Sequence, residues 1–235
     1  MESTTSAGHA GGSSGPEDPI QARRRLTLVV GSMVFYFGGF GVSALFSPGW
    51  PAVAFLVFAQ LAVFLWFIWR YQDGLIGRIL IFGLVLGFVE LPGDAYWVVR
   101  DILIYPPGPQ IYESPFYMPF AYGPAMLQFG YLGWWAAQRW PLWKACAGLA
   151  LLGGISMPAY ETLAKAAGFW VYEGVNMLWG TTPYFIIMAE FLLAISLPLI
   201  LKGIHKRPIW WAVVLGLIGG AWFDFTGPFS HWITG

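Results

Sequence analysis

The chain has 235 residues, of which 57% are apolar and 10% are charged, and its mean hydropathy is +0.62. An average soluble domain carries about 25% charged residues, so this composition indicates a membrane protein. The net charge is zero and the few basic residues are scattered, which excludes a nucleic-acid-binding surface. With one cysteine, Cys146, and three dispersed histidines, neither an intrachain disulfide nor a metal centre is expected, and no cofactor is implied.

The first 22 residues are rich in Ser, Gly, Thr and Ala and show no apolar periodicity. Such a segment buries too little apolar surface to offset the entropy of ordering. We therefore expect two parts, a disordered cytoplasmic tail over 1–22 and a membrane domain over 23–235.

From residue 26 onwards, apolar segments alternate with short polar breaks that contain Pro or Gly. A helix needs about 20 largely apolar residues to cross about 30 Å of hydrocarbon. Seven segments meet this requirement: 26–46, 51–69, 79–99, 117–137, 144–163, 183–201 and 208–229. The sequence thus predicts an all-α bundle of seven transmembrane helices, without an internal repeat of the kind found in inverted-repeat transporters.

The basic residues indicate the orientation of these spans. If the N-terminus is cytoplasmic, ten of the twelve Lys and Arg residues fall on the cytoplasmic side, and Arg100 and Lys165 are the exceptions. This asymmetry is what the positive-inside rule expects. We therefore expect a multi-pass protein of the cell membrane with an external C-terminus.

Most of the carboxylates lie on the opposite side. Four of the twelve acidic residues are assigned to the cytoplasmic side, and the others lie on the outer side or in the outer half of a span. A carboxylate within hydrocarbon is costly, so it normally faces the bundle interior, pairs there and marks a functional site. The eight outer acids are Glu90, Asp94, Asp101, Glu113, Glu161, Glu173, Glu190 and Asp224.

Glu90 and Asp94 form the closest pair of acids within a span. A spacing of four residues places them on one face of a helix, and Pro92 and Gly93 between them disturb that helix. A broken helix at membrane depth is tolerated where it lines a polar cavity. The alternative, of equal weight, is that the two acids cap a kink and pair with Arg100 or a Trp N–H group.

Glu190 and Asp224 also lie deep in their predicted spans, which favours a functional role for both. Glu161 is expected to form an interfacial salt bridge with Lys165, four residues later. The three remaining acids are expected to be surface charges of loops: Asp101, Glu113 and Glu173.

The longest outer connection is predicted over 105–124, where six prolines indicate a stiff rather than helical segment. An ordinary interfacial loop is the favoured interpretation. A lid over an outward-facing pocket is the alternative.

These features favour an enzyme that acts on a lipophilic, isoprenoid substrate by carboxylate acid–base chemistry. Because Asp94 lies next to it, Glu90 is assigned as the acid, and Asp224 as the base. The candidate catalytic residues are Glu90, Asp94, Asp224 and Glu190. Aromatic faces stabilise cations, and the candidate substrate-binding residues are Tyr96, Trp97, Trp170, Trp222 and Phe223.

This layout resembles the small integral membrane terpene cyclases of meroterpenoid pathways. The resemblance implies seven spans, a catalytic Glu in an early span and a catalytic Asp in the last span, positions that Glu90 and Asp224 would occupy here. In this chain the Glu falls in the third predicted span, and no diagnostic motif accompanies it.

Two other functions remain open. The same acids could serve a proton-coupled carrier, or the chain could be an accessory subunit of a membrane complex. A retinal protein is disfavoured because the last predicted span contains no lysine. In each case the expected partners are the lipid bilayer and a lipophilic small molecule.

Overall fold

The computed structural model describes residues 18–235, and the described chain is almost entirely helical. The helices are α1 (Pro19–Ala44), α2 (Trp50–Tyr71), α3 (Gly74–Val89), α4 (Leu91–Val98), α5 (Met118–Arg139), α6 (Leu142–Ala166), α7 (Tyr184–Leu201) and α8 (Trp210–Thr234). A short 3₁₀ turn, Ile204–Lys206, lies between α7 and α8. The two-residue strands are β1 (Leu103–Ile104), β2 (Gln110–Ile111), β3 (Ser114–Pro115), β4 (Val171–Tyr172), β5 (Met177–Leu178) and β6 (Thr182–Pro183).

Six helical segments within residues 18–235 are long and apolar enough to cross a membrane. They are α1, α2, the continuous segment α3–α4 (Gly74–Val98), α6, α7 with its 3₁₀ turn, and α8. This confirms an all-α, multi-pass membrane protein. Of the predicted tail, residues up to 17 lie outside the described part of the chain. Helix α1 begins at Pro19, and the Asp18 side chain caps its start by accepting a hydrogen bond from Ile20 N.

The seventh long helix, α5, lies at the centre of the bundle. Neighbouring helices pack in the order α1, α2, α3, α8, α7, α6 and back to α1, and α5 contacts five of these six. Half of its 22 residues are buried, including Gln128 and Tyr131. A helix enclosed by other helices does not have to match the hydrocarbon of lipid. This position explains why α5, unlike the other six long helices of residues 18–235, lacks a stretch apolar enough to cross a membrane by itself.

Close approach of α3 to its neighbours depends on glycine at several helix crossings. A Cβ atom on Gly87 would lie against the Pro119 carbonyl oxygen and 2.8 Å from Tyr122 Cβ on α5. A Cβ atom on Gly216 of α8 would lie 2.7 Å from Val85 Cβ. Small residues let membrane helices pack backbone to backbone, where dispersion is the main attraction.

Helix α5 begins at Met118, so the expectation of a non-helical segment over 105–124 is wrong for its last seven residues. Pro119 lies in the first turn, where a helical N–H has no partner to lose. Pro124 lies inside α5 and is buried in the helix packing. Tertiary packing of the central helix therefore outweighs the local cost of a proline.

Two long connections meet at one end of the bundle. The first connection (99–117) joins α4 to α5 and contains the β2–β3 hairpin, and the second connection (167–183) joins α6 to α7 and contains the β5–β6 hairpin. Antiparallel pairing of β1 with β4 links them, with Leu103 opposite Tyr172. The backbone N–H of Glu173 donates to the carbonyl of Ile102 at 2.9 Å and extends this link.

Candidate functional site

A cavity of about 170 Å³ lies inside the bundle beneath the two connections. Residues from α1, α2, α4, α5, α6, α7, α8 and both connections line it. An engineered protein cavity of about 150 Å³ holds a benzene molecule. The space is therefore large enough for a compact organic group.

Five carboxylates line this cavity: Glu90, Asp94, Glu161, Glu190 and Asp224. Four of them are the candidate catalytic residues selected from the sequence, and all four belong to the lining of this one cavity. Within residues 18–235, no Lys, Arg or His belongs to the lining, and no group of three His, Cys, Asp or Glu side chains is arranged to hold a metal ion. The cavity is thus acidic and aromatic without a compensating cation.

Glu90 lies at the junction of α3 and α4. Its carbonyl oxygen accepts from both Gly93 N (2.8 Å) and Asp94 N (3.1 Å), so the helix changes its hydrogen-bond pattern here without unwinding. The side chain is 6% exposed, and its Oε2 atom has no partner in the protein. The Tyr122 hydroxyl and the carboxylates of Asp94 and Asp224 lie close enough to interact electrostatically with the Glu90 carboxyl.

Asp224 reaches the cavity from α8 because of Gly93 on α4. A Cβ atom at position 93 would collide with Asp224 Oδ1, so only glycine permits this approach. The Oδ1 atom is buried and has no side-chain or main-chain partner that satisfies a hydrogen-bond geometry. Gly93, which lies next to Pro92 at the predicted helix break, therefore permits the close approach of two carboxylate-bearing helices.

Asp94 has a different environment from Glu90. Its Oδ1 atom accepts a hydrogen bond from the Tyr105 hydroxyl at 2.8 Å, and its Oδ2 atom accepts one from Ser114 Oγ. The alternative pairing with Arg100 is wrong, since the Arg100 guanidinium lies 3.6 Å above the Tyr96 ring. Burial, with the Asp94 carboxyl beside it, raises the pKa of Tyr105 well above its ordinary value, so this phenol remains a donor.

Glu161 is the cavity residue whose role was wrongly predicted. It is 3% exposed, and its Oε2 atom accepts from Trp170 Nε1 at 2.7 Å instead of pairing with Lys165. The Lys165 ammonium donates to the Gly180 carbonyl at 2.8 Å. The other three outer acids are exposed, as predicted: Asp101, Glu113 and Glu173.

Glu190 lies about two turns into α7 and lines the cavity. Its neighbours in the lining on the same helix are apolar, Ile186 and Ala189. Glu190 therefore adds a third carboxylate to Glu90 and Asp224 in the helical wall of the cavity.

The aromatic lining differs in part from the prediction. Trp97, Trp170 and Phe223 line the cavity, whereas Tyr96 and Trp222 do not. Tyr96 stacks beneath Arg100, and Trp222 is 36% exposed on the outer surface of α8, with its Nε1 directed at the Leu192 carbonyl.

Several tyrosines of the lining were not selected from the sequence: Tyr36, Tyr105, Tyr117, Tyr122, Tyr160 and Tyr172. The Tyr117 hydroxyl is buried without a partner, and the Tyr36 and Tyr160 hydroxyls lie 3.4 Å apart. Except for Tyr36, which lies in the middle of the first predicted span, their clustering near the outer ends of the predicted spans was the available signal, since an interfacial belt does not require tyrosines on an inward face.

No curated protein and no solved structure matches the chain significantly. Residues 91–234 match the profile of one family, described as a domain of unknown function (DUF6989). The match begins directly after Glu90 and includes all of α4 to α8, so it covers both connections and four of the five cavity carboxylates. Since it spans more than half of the chain, the chain belongs to the DUF6989 family.

Proposed function

We propose that this protein is an enzyme of the cell membrane that cyclises or isomerises a lipophilic isoprenoid substrate by carboxylate acid–base chemistry. The central α5 crosses the bilayer with the six helices around it, which gives seven spans with a cytoplasmic N-terminus and an external C-terminus. The observation that carries the proposal is the pair of free carboxylate oxygens, Glu90 Oε2 and Asp224 Oδ1, in one aromatic cavity.

In this reaction Glu90 donates a proton to an alkene carbon of the substrate, whose π bond breaks, or to an epoxide oxygen, whose C–O bond breaks, and the neighbouring carbon becomes positively charged. The electrons of a neighbouring double bond then form a new carbon–carbon bond, and the positive charge moves to a ring carbon. Asp224 removes a proton from the carbon next to that charge, so atoms and charge balance and the product is an isomer of the substrate. The rings of Trp97, Trp170 and Phe223 stabilise the passing cation by about 0.5–2 kcal/mol each.

The lining also restricts the substrate. Within the described chain it contains five carboxylates and no Lys, Arg or His, and no metal-binding group of acids is present. An isoprenyl diphosphate would meet repulsion here, because phosphates are held by Arg, Lys, metal ions or helix N-termini. The proposed substrate therefore has a neutral head group.

The test uses membranes that contain the full chain, supplied with a short prenyl epoxide that carries a neutral head group and is compact enough for the cavity. Removing a general acid or base costs about 10²–10⁴-fold in rate, so Glu90→Gln and Asp224→Asn should each reduce turnover by this factor while insertion is unchanged. Asp101→Asn and Glu173→Gln, at exposed positions, are matched controls that should keep full turnover.

Normal turnover in Glu90→Gln and Asp224→Asn would overturn the assignment of these residues. A wild-type protein that produces no isomer but acidifies or alkalises vesicles when substrate is added would support a proton-coupled carrier instead. Faster conversion of the corresponding diphosphate than of the neutral substrate would refute the restriction on the head group.

A further inference from the structure

The two cavity carboxylates with described hydrogen-bond partners hold parts of the two connections. Asp94 on α4 accepts from Tyr105 and Ser114, both in the first connection. Glu161 on α6 accepts from Trp170 in the second connection. Both oxygens of Asp94 are used in this way, whereas Glu90 and Asp224 each keep an oxygen without a partner.

The anchored residues flank the strands that join the connections. Tyr105 directly follows β1, and Trp170 directly precedes β4, which pairs with β1. The rings of Tyr105 and Trp170 lie edge to face with their centroids 6.4 Å apart. Asp94 and Glu161 therefore act as two anchors, and together they link α4 to α6 through the β1–β4 pair as one continuous unit.

This unit covers the cavity. Leu103, Tyr105, Trp170 and Tyr172, which lie in or beside β1 and β4, are all part of the lining. Asp94 also fixes both ends of the segment 105–114, because its two donors lie nine residues apart in the chain. Hydrogen bonds to a buried carboxylate are among the stronger ones in proteins, so the Asp94 and Glu161 contacts are strong polar links between this cover and the helices beneath it.

We propose that Asp94 and Glu161 are positioning residues that hold the two connections closed over the cavity, and that a ligand enters when these contacts part. Their role as positioning residues for a reaction rests on the proposed function, whereas the closure itself does not. Asp94 is thereby separated from Glu90, with which it was grouped on the basis of spacing, and only Glu90, Glu190 and Asp224 remain for proton transfer.

The test measures the position of the first connection directly. Cys146 is the single cysteine of the chain, so Cys146→Ala gives a background for site-specific labels. Nitroxides at Gln110→Cys in β2 and Ile155→Cys on α6, both exposed positions, report the distance from the cover to the bundle by pulsed electron resonance. A second pair, Ile155→Cys with Leu217→Cys on α8, reports the bundle alone.

Asp94→Ala should replace the single narrow cover-to-bundle distance with a broad, longer distribution and leave the second pair unchanged. Asp94→Asn should keep the narrow distance, because the amide oxygen still accepts from Tyr105 and the amide N–H₂ can donate to Ser114 Oγ. Asp101→Ala removes an exposed carboxylate of the same connection and should have no effect.

For the second anchor, Glu161→Leu with a label at the exposed Glu173→Cys should broaden the distance to Ile155→Cys, and Glu161→Gln should not. An unchanged distance in both Asp94→Ala and Glu161→Leu, or equal broadening in the Asn and Ala variants of Asp94, would overturn the proposal. If Asp94→Ala disturbs the bundle pair, Tyr105→Phe combined with Ser114→Ala decides, since it removes the same contacts without changing α4. No substrate is present in these measurements, so absence of isoprenoid turnover does not affect the outcome.

Discussion

The buried ion pair between Arg25 and Asp73 gives a quantitative prediction that is independent of function. Asp73 is fully buried, and its carboxylate accepts from Arg25 Nε at 2.7 Å and from Arg25 Nη2 at 3.0 Å. The same carboxylate caps the start of α3, where it accepts from Leu75 N at 3.2 Å and Ile76 N at 3.1 Å. One side chain thus joins α1 to α3 across 48 residues of sequence.

Arg25→Met keeps the apolar volume of the side chain but leaves the Asp73 carboxylate buried without its ionic partner. Breaking a buried pair from one side costs about 3–5 kcal/mol. Asp73→Ser keeps a side-chain oxygen for the helix cap, worth about 1 kcal/mol, and removes the carboxylate to which the Arg25 guanidinium donates. Each variant should therefore lower the free energy of unfolding by about 3–5 kcal/mol.

The double variant, Arg25→Met with Asp73→Ser, should cost less than the sum of the two, because no unpaired charge remains. The difference should be about 1–3 kcal/mol. Reversible unfolding in mixed micelles measures all three values, and Arg70→Met, which removes an exposed guanidinium above the Tyr71 ring, is the control with an expected cost of at most about 1 kcal/mol. Single costs below about 1 kcal/mol, or strict additivity, would refute this reasoning.

Two further predictions concern packing and topology. Gly87→Ala should destabilise the protein by about 1–3 kcal/mol, because the new methyl group collides with the Pro119 carbonyl oxygen. Gly41→Ala, which has open space around its Cβ position, should change stability by at most about 0.5 kcal/mol. Equal effects of the two substitutions in an unfolding assay would contradict the close α3–α5 contact. A topology reporter fused near residue 204 should read cytoplasmic and one fused after residue 235 should read external, and a cytoplasmic C-terminus would contradict seven crossings.

Span positions could be predicted because bilayer thickness sets a minimum apolar length that random loops rarely reach. The predicted segment 183–201 and the observed α7, Tyr184–Leu201, differ by at most one residue at each end. Convergence of Glu90, Asp94, Glu190 and Asp224 could be predicted for a related reason, since a carboxylate in a span is far less costly inside the bundle than against lipid. Both predictions depend on the properties of the lipid bilayer, which are known without knowledge of any tertiary contact.

The hydrogen-bond partner of each acidic side chain could not be predicted from the sequence. The Glu161–Lys165 prediction used the four-residue helix spacing, but the side chain turns inward and meets Trp170, whose position depends on the path of the second connection. The aromatic assignments failed for a simpler reason. Consecutive helical residues point about 100° apart, and of the adjacent pairs Tyr96–Trp97 and Trp222–Phe223 only the second ring of each lines the cavity.

The distribution of unpaired polar atoms argues that the cavity is built for a ligand. Within residues 18–235, five buried side-chain atoms lack a hydrogen-bond partner, and three of them belong to cavity residues: Glu90 Oε2, Asp224 Oδ1 and Tyr117 Oη. An unpaired buried polar group costs about 1–3 kcal/mol, and native proteins keep few of them. Three such groups around one compact space are therefore a stability cost that a bound molecule with hydrogen-bond donors would offset. If Glu90, Asp224 and Tyr117 were instead purely structural, replacing them with Gln, Asn and Phe should leave ligand affinity unchanged.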